Sequence, residues 1–319
     1  MGSHDGEGYD MVGDVHGHAD KLVGLLRAMG YTERDGVWRH PVRQVVFVGD
    51  LVDRGPRQVE TVRIARAMVE AGTARIVVGN HEFNAIAFHT PDPDRPGEFL
   101  RPHSERHLSQ HAAFIEQVKS GTSEHDELIA WFMTLPMWLD LGEIRVVHAC
   151  WDRRSMEIVG PLVSATNSLT TELVLAACRR PSPEWQAVEH LLKGPEIPVG
   201  VAYRDKSGHV RSNARLRWWD PTADRLRAAV VMPEETTTLE GDPYPELPDT
   251  PISPPVAAYT DDVPVFFGHY WRTGKPAVQA DHVACVDYSA GLGGPLVAYR
   301  WSGESTLTDA NFIATAQTA

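Results

Sequence analysis

The stretch Gly49-Asp50-Leu51-Val52-Asp53-Arg54-Gly55 follows an apolar run, Val45–Val48, that is typical of a buried β-strand. A proline comes next, followed by an amphipathic helical pattern. The two carboxylates and the guanidinium therefore lie on a tight turn at the carboxyl end of a strand, where ligands bind in open α/β sheets. Asp50 is placed to hold a metal ion, Arg54 to bind a phosphate through its planar fork, and Asp53 to orient a neighbouring side chain.

Two similar turns lie on either side of this stretch. Tyr9–Val12 leads into Gly13-Asp14-Val15-His16-Gly17, and Arg75–Val78 leads into Gly79-Asn80-His81-Glu82. The order of strand, polar turn and helix occurs three times, which is typical of βαβ units and a parallel sheet. Because each turn follows its strand at the same end, we expect the three turns to converge in space.

The rest of the chain is less regular. We expect a connecting turn at Trp38–Pro41, a long surface loop over residues 91–107, and a helix over His107–Lys119 with Leu108, Ala112 and Ile115 on one face. A hairpin within Met137–Val147 brings His148 to its end, and the apolar run Val263–Phe267 precedes His269. Residues 221–262 are rich in Pro, Thr and acids, and we interpret them as an excursion.

Composition excludes several classes of protein. The formal net charge of −13 argues against a general binder of nucleic acid or anionic membranes. No run of 18 or more apolar residues occurs and the first residues do not resemble a leader, so we expect no membrane span and no signal peptide. Three cysteines without framework spacing favour a reducing, cytoplasmic location.

The polar residues at the strand ends form a set of hard or borderline metal ligands. They comprise two carboxylates, one amide and three imidazoles: Asp14, His16, Asp50, Asn80, His148 and His269. Such ligands suit Mn, Fe and Zn ions. Six are too many for one ion with an open position, but they fit two ions if one carboxylate bridges, and ion pairs about 3.5–4 Å apart recur in phosphoester cleavage.

These three turns resemble the signatures of calcineurin-like metallophosphoesterases, and the DRG and NHE forms resemble its phosphoprotein-phosphatase branch. The resemblance implies an α/β fold, the four-layer αββα metallophosphoesterase sandwich. We expect a single domain over residues 1–319, with insertions or cleft-flanking segments at about 90–140 and 155–262. It also implies two divalent metal ions, with Mn expected first and Fe, Zn or Ni as alternatives.

The resemblance further implies a role for each residue. Asp14 and His16 would hold the first ion, and Asp50 would bridge. Asn80, His148 and His269 would hold the second ion. Arg54 would bind the phosphate together with Asn80 and His81, and His81 would protonate the leaving oxygen while Asp53 orients it. Metal-bound water would attack phosphorus in line.

The sequence departs from the wider family at Gly268-His269-Tyr270-Trp271, where many members have Gly-His-x-His. The first ion would then have fewer protein ligands, and activity would depend on added Mn. The family's additional phosphate-binding arginine is also unassigned, with Arg153, Arg215 and Arg217 as candidates. Asp287 resembles an acidic position near the site in bacterial polynucleotide-phosphatase relatives.

The substrate stays open at this point. A phosphorylated protein, as for a serine/threonine phosphatase, is expected first. The alternatives are a dinucleoside polyphosphate such as diadenosine tetraphosphate, cut symmetrically, and a nucleic-acid end phosphate, although we expect no stable nucleic-acid complex. A metal-free binding scaffold ranks lowest because every ligand position is filled. The unmatched segments contain no basic cluster long enough to suggest a polyphosphate groove.

Other residues that could take part in chemistry favour structural interpretations. We expect His103, His107, His111 and His125 to lie on the surface rather than to form a third metal site. Trp218 and Trp219 are expected in the core or at its rim, with a platform for a nucleobase as the alternative. Cys150 is expected to be a small buried residue.

Overall fold

Two β-sheets form the centre of the protein. The computed structural model describes residues 8–205, 208–233, 236–254 and 256–316. The described strands are Gly8–Val12 (β1), Thr32–Arg34 (β2), Val37–Arg39 (β3), Arg43–Phe47 (β4), Ala74–Ile76 (β5), Trp138–Asp140 (β6), Arg145–Val147 (β7), Glu196–Arg204 (β8), Val210–Leu216 (β9), Val230–Val231 (β10), Val265–Phe267 (β11), Val283–Cys285 (β12), Val297–Trp301 (β13) and Phe312–Ala314 (β14). The described α-helices are Ala19–Ala28 (α1), Gln58–Glu70 (α2), Asn80–His89 (α3), Glu105–Gln117 (α4), Ser123–Met133 (α5), Arg153–Val159 (α6), Thr171–Ala177 (α7), Pro183–Lys193 (α8) and Leu226–Ala229 (α9).

The first sheet has the order β14-β13-β1-β4-β5, and the second has the order β12-β11-β7-β6. β1, β4 and β5 are parallel to one another, as are β12, β11 and β7. The predicted βαβ arrangement of the strands now labelled β1, β4 and β5 is therefore confirmed. The carboxyl ends of the parallel strands in each sheet lie at one edge, which is the edge that carries the polar turns.

Alternate residues along the strands belong to two different hydrophobic clusters. Met11, Val46, Val146 and Phe266 belong to a cluster between the sheets. Their neighbours along the strands, such as Val12 and Phe47, belong to the larger cluster beneath the helices. A period of two with both faces apolar is what a sheet buried on both sides requires. The predicted α/β sandwich is confirmed, with its layers in the order helix, sheet, sheet, helix.

Local sequence explains where several helices begin and end. Ser104, Thr122 and Ser182 each accept a hydrogen bond from the backbone N–H three residues later, which caps α4, α5 and α8. Pro183 occupies the first turn of α8, where its missing N–H is not needed. No helix in these ranges is long and apolar enough to cross a membrane.

Two sequence predictions about elements were wrong in part. Of the turn expected at Trp38–Pro41, only His40 and Pro41 lie in the connection to β4, because Trp38 and Arg39 belong to strand β3, which pairs with β2 in a short hairpin. The helix α4 does not bury the face that carries Leu108, which is 43% exposed, but the face that carries His111 and Phe114. Residues 221–262 contain α9 and β10, and β10 completes a three-stranded sheet with β9 and β8 that has its own apolar cluster.

Candidate metal centre and cleft

The six predicted ligands all follow parallel strands at the same edge of the sandwich. Asp14 and His16 follow β1, Asp50 follows β4, Asn80 begins α3 after β5, His148 follows β7, and His269 follows β11. The loops after β1 and β4 are joined by backbone hydrogen bonds, because Val15 and His16 N–H donate to the Asp50 carbonyl over 3.0 and 2.9 Å. The fold thus brings residues 255 positions apart together, as shown by the bond from His269 N–H to Asp14 Oδ2 (3.1 Å).

Two imidazoles are held with the same orientation. His16 Nδ1 lies 2.9 Å from the Val52 carbonyl, and His148 Nδ1 lies 2.7 Å from the Val48 carbonyl. In each case Nδ1–H donates to the backbone, so Nε2 faces Asp50 Oδ2, at 3.7 Å for His16 and 3.4 Å for His148. A backbone acceptor on one ring nitrogen is the usual support of a metal-binding histidine.

Lone-pair atoms face one another around Asp50. His148 Nε2 lies 3.1 Å from Asn80 Oδ1, although both are acceptors once Nδ1 carries the imidazole proton. Burial opposes ionisation of Asp50, yet the neighbouring imidazoles of His148 and His81 hold its pKa well below the ordinary value. Acceptors that converge in a buried site require a positive charge between them.

Two buried polar atoms of the ligand set lack hydrogen-bond partners among the described residues. They are Asp14 Oδ1 and His269 Nδ1. Burial raises the pKa of Asp14 well above its ordinary value, and the charges of Asp287 and Asp50 raise it further. A Cβ at Gly268 would lie 2.0 Å from Asp14 Oδ1, so only glycine allows the backbone this close to the carboxylate.

These features fit a pair of cations that share Asp50. The ligand atoms of His16, Asp50 and His81 lie within 4.8 Å of one another, and so do those of Asp50, His148 and His269. The donor set consists of carboxylate, amide and imidazole, which suits divalent first-row ions. His81 belongs to the first group by distance, although the sequence interpretation gives it an acid role.

Glu82 organises the centre, and the sequence analysis assigned it no role. Its carboxylate accepts hydrogen bonds from the backbone N–H groups of Gly79 (2.9 Å), Asp50 (2.9 Å) and Leu51 (2.7 Å). Burial, followed by the charge of Asp50, raises its pKa to about 6. Its position in the Asn80-His81-Glu82 turn was the available signal, since a buried acid at the third position of a helix accepts from the preceding backbone.

His81, Asp53 and His111 form a hydrogen-bonded chain. His81 Nδ1 lies 2.5 Å from Asp53 Oδ2, and His111 Nδ1 lies 2.7 Å from Asp53 Oδ1. Burial opposes ionisation of Asp53, but hydrogen bonds from His111 and His81 hold its pKa below the ordinary range. His111 is 4% exposed and His125 is 5% exposed, so the prediction that they lie on the surface was wrong.

Arg54 lies beside the centre, above an aromatic ring. Its guanidinium carbon is 4.6 Å from the centre of the Trp271 ring. Trp271 occupies the position where the wider family's second histidine is expected. A Cβ at Gly291 would lie 2.6 Å from Arg54 Cδ and 2.8 Å from His16 Cδ2, so the chain comes close to both side chains here.

The three arginines from the C-terminal half are placed differently. Arg215 Nη1 donates to the His269 carbonyl (2.9 Å), and Arg215 Nη2 lies 2.8 Å from His269 Nε2. Arg153 is instead paired with Asp261 and its side chain is 66% exposed. Arg217 is exposed and lines a pocket of about 270 Å³ that adjoins the cleft but does not include His81 or Asn80. Proximity therefore favours Arg215 as the second arginine of the site.

Four other residues that the sequence analysis singled out support the surrounding structure. Asp287 accepts from the backbone N–H groups of Trp271 (2.7 Å) and Ser289 (2.9 Å), and burial raises its pKa. Trp218 and Trp219 are 3% and 5% exposed and pack against Phe267 in the core, so they offer no platform to a ligand. Cys150 is fully buried, and burial raises the pKa of its thiol.

A cleft of about 1020 Å³ opens in front of Asn80, His81 and His269. Seven basic and four acidic side chains line it, in a chain whose net charge is −13. The seven basic residues are Arg54, Arg101, Arg106, Arg180, Lys193, Arg211 and Arg215. No single segment of the sequence contains a basic cluster long enough to form this groove. The groove is instead assembled from basic residues of several segments.

A sandwich with these ligands at its strand ends defines a metallophosphoesterase type of centre. Residues 10–143 match the profile of the family described as calcineurin-like phosphoesterase. This part of the chain resembles a calcineurin-like metallophosphoesterase domain, and that family implies divalent metal ions.

Curated relatives match either part of the chain or most of its length. The chain is 32% identical over 144 residues to bis(5'-nucleosyl)-tetraphosphatase PrpE [asymmetrical] of Bacillus subtilis; the match covers 44% of this chain and 57% of the relative. The chain thus spans little more than half the length of that relative. It is 24% identical over 306 residues to bis(5'-nucleosyl)-tetraphosphatase, symmetrical, of Enterobacter sp., with 92% of each chain covered. A solved serine/threonine phosphatase of Saccharomyces cerevisiae is similar at a TM-score of 0.49 and 14% identity, over 99% of this chain and 81% of that one.

Proposed function

We propose that the chain is a hydrolase that uses two divalent metal ions to cleave a phosphoester or phosphoanhydride bond. Asp14 and His16 would hold the first ion, Asn80, His148 and His269 would hold the second, and Asp50 would serve both. Because Trp271 supplies no further ligand, the first ion would be readily exchanged and activity would depend on added metal. Mn is the metal that we expect first. We further propose a single domain over 1–319 and, from the three unpaired cysteines, a cytoplasmic location.

The chain's own groups bind and orient the phosphoryl group. When bound, two divalent ions supply a nucleophile from water at neutral pH and neutralise charge on the phosphoryl oxygens. Arg54 and Arg215 donate to the remaining phosphoryl oxygens, with the amide of Asn80 beside them. His81 presents Nε2 to the leaving oxygen and gives it a proton, while Asp53 holds Nδ1–H and keeps the ring in this orientation.

The basic cleft carries the proposal for the substrate. Seven basic and four acidic side chains line the cleft, and this excess of positive charge is larger than a single phosphate requires. The excess favours a dinucleoside polyphosphate such as diadenosine tetraphosphate. The match over 92% of both chains to a symmetrical bis(5'-nucleosyl)-tetraphosphatase supports the same substrate. A phosphorylated protein is the second proposal, because the open cleft of about 1020 Å³ also admits a peptide. The net charge opposes a nucleic-acid end phosphate, and the converging ligands oppose a metal-free scaffold.

The test is hydrolysis of diadenosine tetraphosphate and of a phosphopeptide set by the same preparation, after metal removal and again after Mn is added back. We expect Mn to restore activity, with the dinucleotide cleaved preferentially to two ADP. Asp50→Asn is expected to abolish turnover and to lower the Mn retained per chain by elemental analysis. Preferential turnover of the phosphopeptides would favour a protein phosphatase, and equal activity of Asp50→Asn would refute the bridging role.

A further inference from the structure

Three partly exposed arginines of the cleft have no carboxylate partner among the described residues; Arg106 has none either, but it is exposed to solvent. Arg54 and Arg215 are two of them, and the proposed mechanism places both on the phosphoryl group that reacts. The third, Arg101, lies in the segment after α3, which carries none of the family's motifs. Each guanidinium is only partly exposed. A guanidinium that is withdrawn from water without an acid partner calls for an anionic ligand.

Arg101 is held firmly in its place. Its backbone N–H donates to the Ala87 carbonyl (2.9 Å), which ties the segment to α3. Its Nη2 donates to Gln110 Oε1 on α4 (2.7 Å), a neutral acceptor that leaves the charge uncompensated. Burial lowers the pKa of Arg101 to about 10, the direction expected of a cation removed from water.

The charges that surround Arg101 are already engaged elsewhere. Asp53 and Glu189 attract it, whereas Arg106 and Arg180 repel it. Both oxygens of Asp53 accept hydrogen bonds from histidines. Glu189 is paired with Lys193 and lies 3.7 Å from Arg180. Neither acid is therefore free to neutralise the guanidinium of Arg101.

Arg101 also lies where two cavities meet. It lines the cleft in front of the metal centre and an adjoining cavity of about 630 Å³. Trp185 lines both as well, with the Arg180 guanidinium 4.7 Å from its ring centre. The indole Nε1 of Trp185 is buried and has no hydrogen-bond partner in the described part of the chain. An aromatic face beside a cationic fork is the combination that binds a base attached to phosphate.

We propose that Arg101 forms a second anion subsite, which binds phosphates of a nucleoside polyphosphate beyond the one that reacts, with Trp185 contacting the attached nucleoside. This inference rests on the proposed function and adds the recognition of an extended phosphate chain. Arg54 and Arg215 hold the phosphoryl group at the metal centre, while Arg101 holds the chain that extends from it. A substrate with a single phosphate would not reach this subsite.

The first test is direct binding, which does not require turnover. Calorimetry with inorganic tripolyphosphate, in the presence of Mn, compares wild type with Arg101→Gln, Arg101→Lys and the control Arg66→Gln. We expect Arg101→Gln to weaken binding about tenfold or more, and Arg101→Lys to weaken it less because the charge remains. Arg66 lies on α2 and is paired with exposed Glu70, so its substitution removes a similar charge away from the cleft. Unchanged binding in Arg101→Gln, with native circular dichroism, would overturn the subsite.

The second test compares substrates of different length. We expect Arg101→Gln to lower the ratio of kcat/KM for diadenosine tetraphosphate to that for p-nitrophenyl phosphate by about tenfold. Trp185→Leu should weaken binding of ADP but not of tripolyphosphate. An unchanged ratio, or an equal loss on both substrates, would overturn the proposal. If the dinucleotide is not cleaved but tripolyphosphate binding still depends on Arg101, the subsite stands and the proposal that diadenosine tetraphosphate is the substrate fails.

Discussion

Backbone strain is concentrated at the residues proposed for chemistry. Nine described non-glycine residues have positive φ, and five of them belong to the site. These five are His16, Asp50, Asp53, Arg54 and His269, with φ between 49° and 73°. Left-handed backbone costs a non-glycine residue of the order of 1 kcal/mol or more and persists where the surroundings enforce it. The turn motifs therefore encode unfavourable local geometry that the two sheets hold in place.

His111 offers a prediction about proton donation by His81. Replacing it with Phe keeps an aromatic ring on α4 but removes the hydrogen bond to Asp53 Oδ1 (2.7 Å), so Asp53 would orient His81 less well. We expect kcat to fall about tenfold more for an alkyl phosphate than for p-nitrophenyl phosphate, because the poorer leaving group needs a proton in the transition state. Steady-state kinetics on both substrates give the comparison.

A matched control separates this effect from loss of packing. His125 is also buried and near His89, but it contacts Asp126 rather than Asp53. His125→Phe should therefore change kcat by the same factor for both substrates. An equal fall for both substrates in His111→Phe would show that His111 supports the fold and does not act through Asp53.

At the scale of elements, one buried carboxylate joins the strands of the first sheet. Asp10 on β1 is fully buried and accepts hydrogen bonds from Arg43 Nε on β4 and Arg300 Nε on β13, each over 2.9 Å. Asp10→Ala would leave both guanidiniums without their acid. We expect it to lower the free energy of unfolding by about 3–5 kcal/mol, measured by urea denaturation. Glu70→Ala removes an exposed acid of Arg66 and should cost less than about 1 kcal/mol; equal losses would contradict this account.

Elements with regular apolar patterns could be predicted from sequence, and less regular ones could not. The continuous apolar run Val45–Val48 indicated β4, because both faces of that strand are buried. β2 was missed since all three of its residues are exposed and carry no pattern. The face of α4 was wrong because His111 counted as polar, whereas its partner Asp53 lies 58 residues away.

The same distinction holds for the site. The six candidate ligands could be named from the sequence because each belongs to a short turn or a strand end, and the structure brings all six to one edge of the sandwich. The selection of Arg215 among the three candidate arginines could not be predicted from sequence, and neither could the position of the Arg101 guanidinium in the cleft. Both depend on where β9 and the segment after α3 lie in space. Isolated arginines in an acidic sequence carry no local signal.

At the scale of the whole molecule, the chain combines a net charge of −13 with a cleft lined by seven basic and four acidic side chains. The net negative charge repels a polyphosphate at a distance, whereas the basic lining attracts it at the cleft. Fields of this kind raise association rates and are screened by salt over a Debye length of about 10 Å at 0.1 M ionic strength. The cleft charges should therefore contribute to the rate of substrate capture.

Salt should consequently affect a long substrate more than a short one. Raising KCl from about 20 to about 200 mM is expected to lower kcat/KM for diadenosine tetraphosphate about tenfold, with little change in kcat. The value for p-nitrophenyl phosphate should fall less, because it carries fewer charges and contacts only the metal centre. Sucrose at matched viscosity controls for diffusion, and Mn content measured at both salt concentrations controls for loss of metal. Identical salt slopes for the two substrates would place the effect at the metal centre and would argue that the basic lining does not guide the substrate.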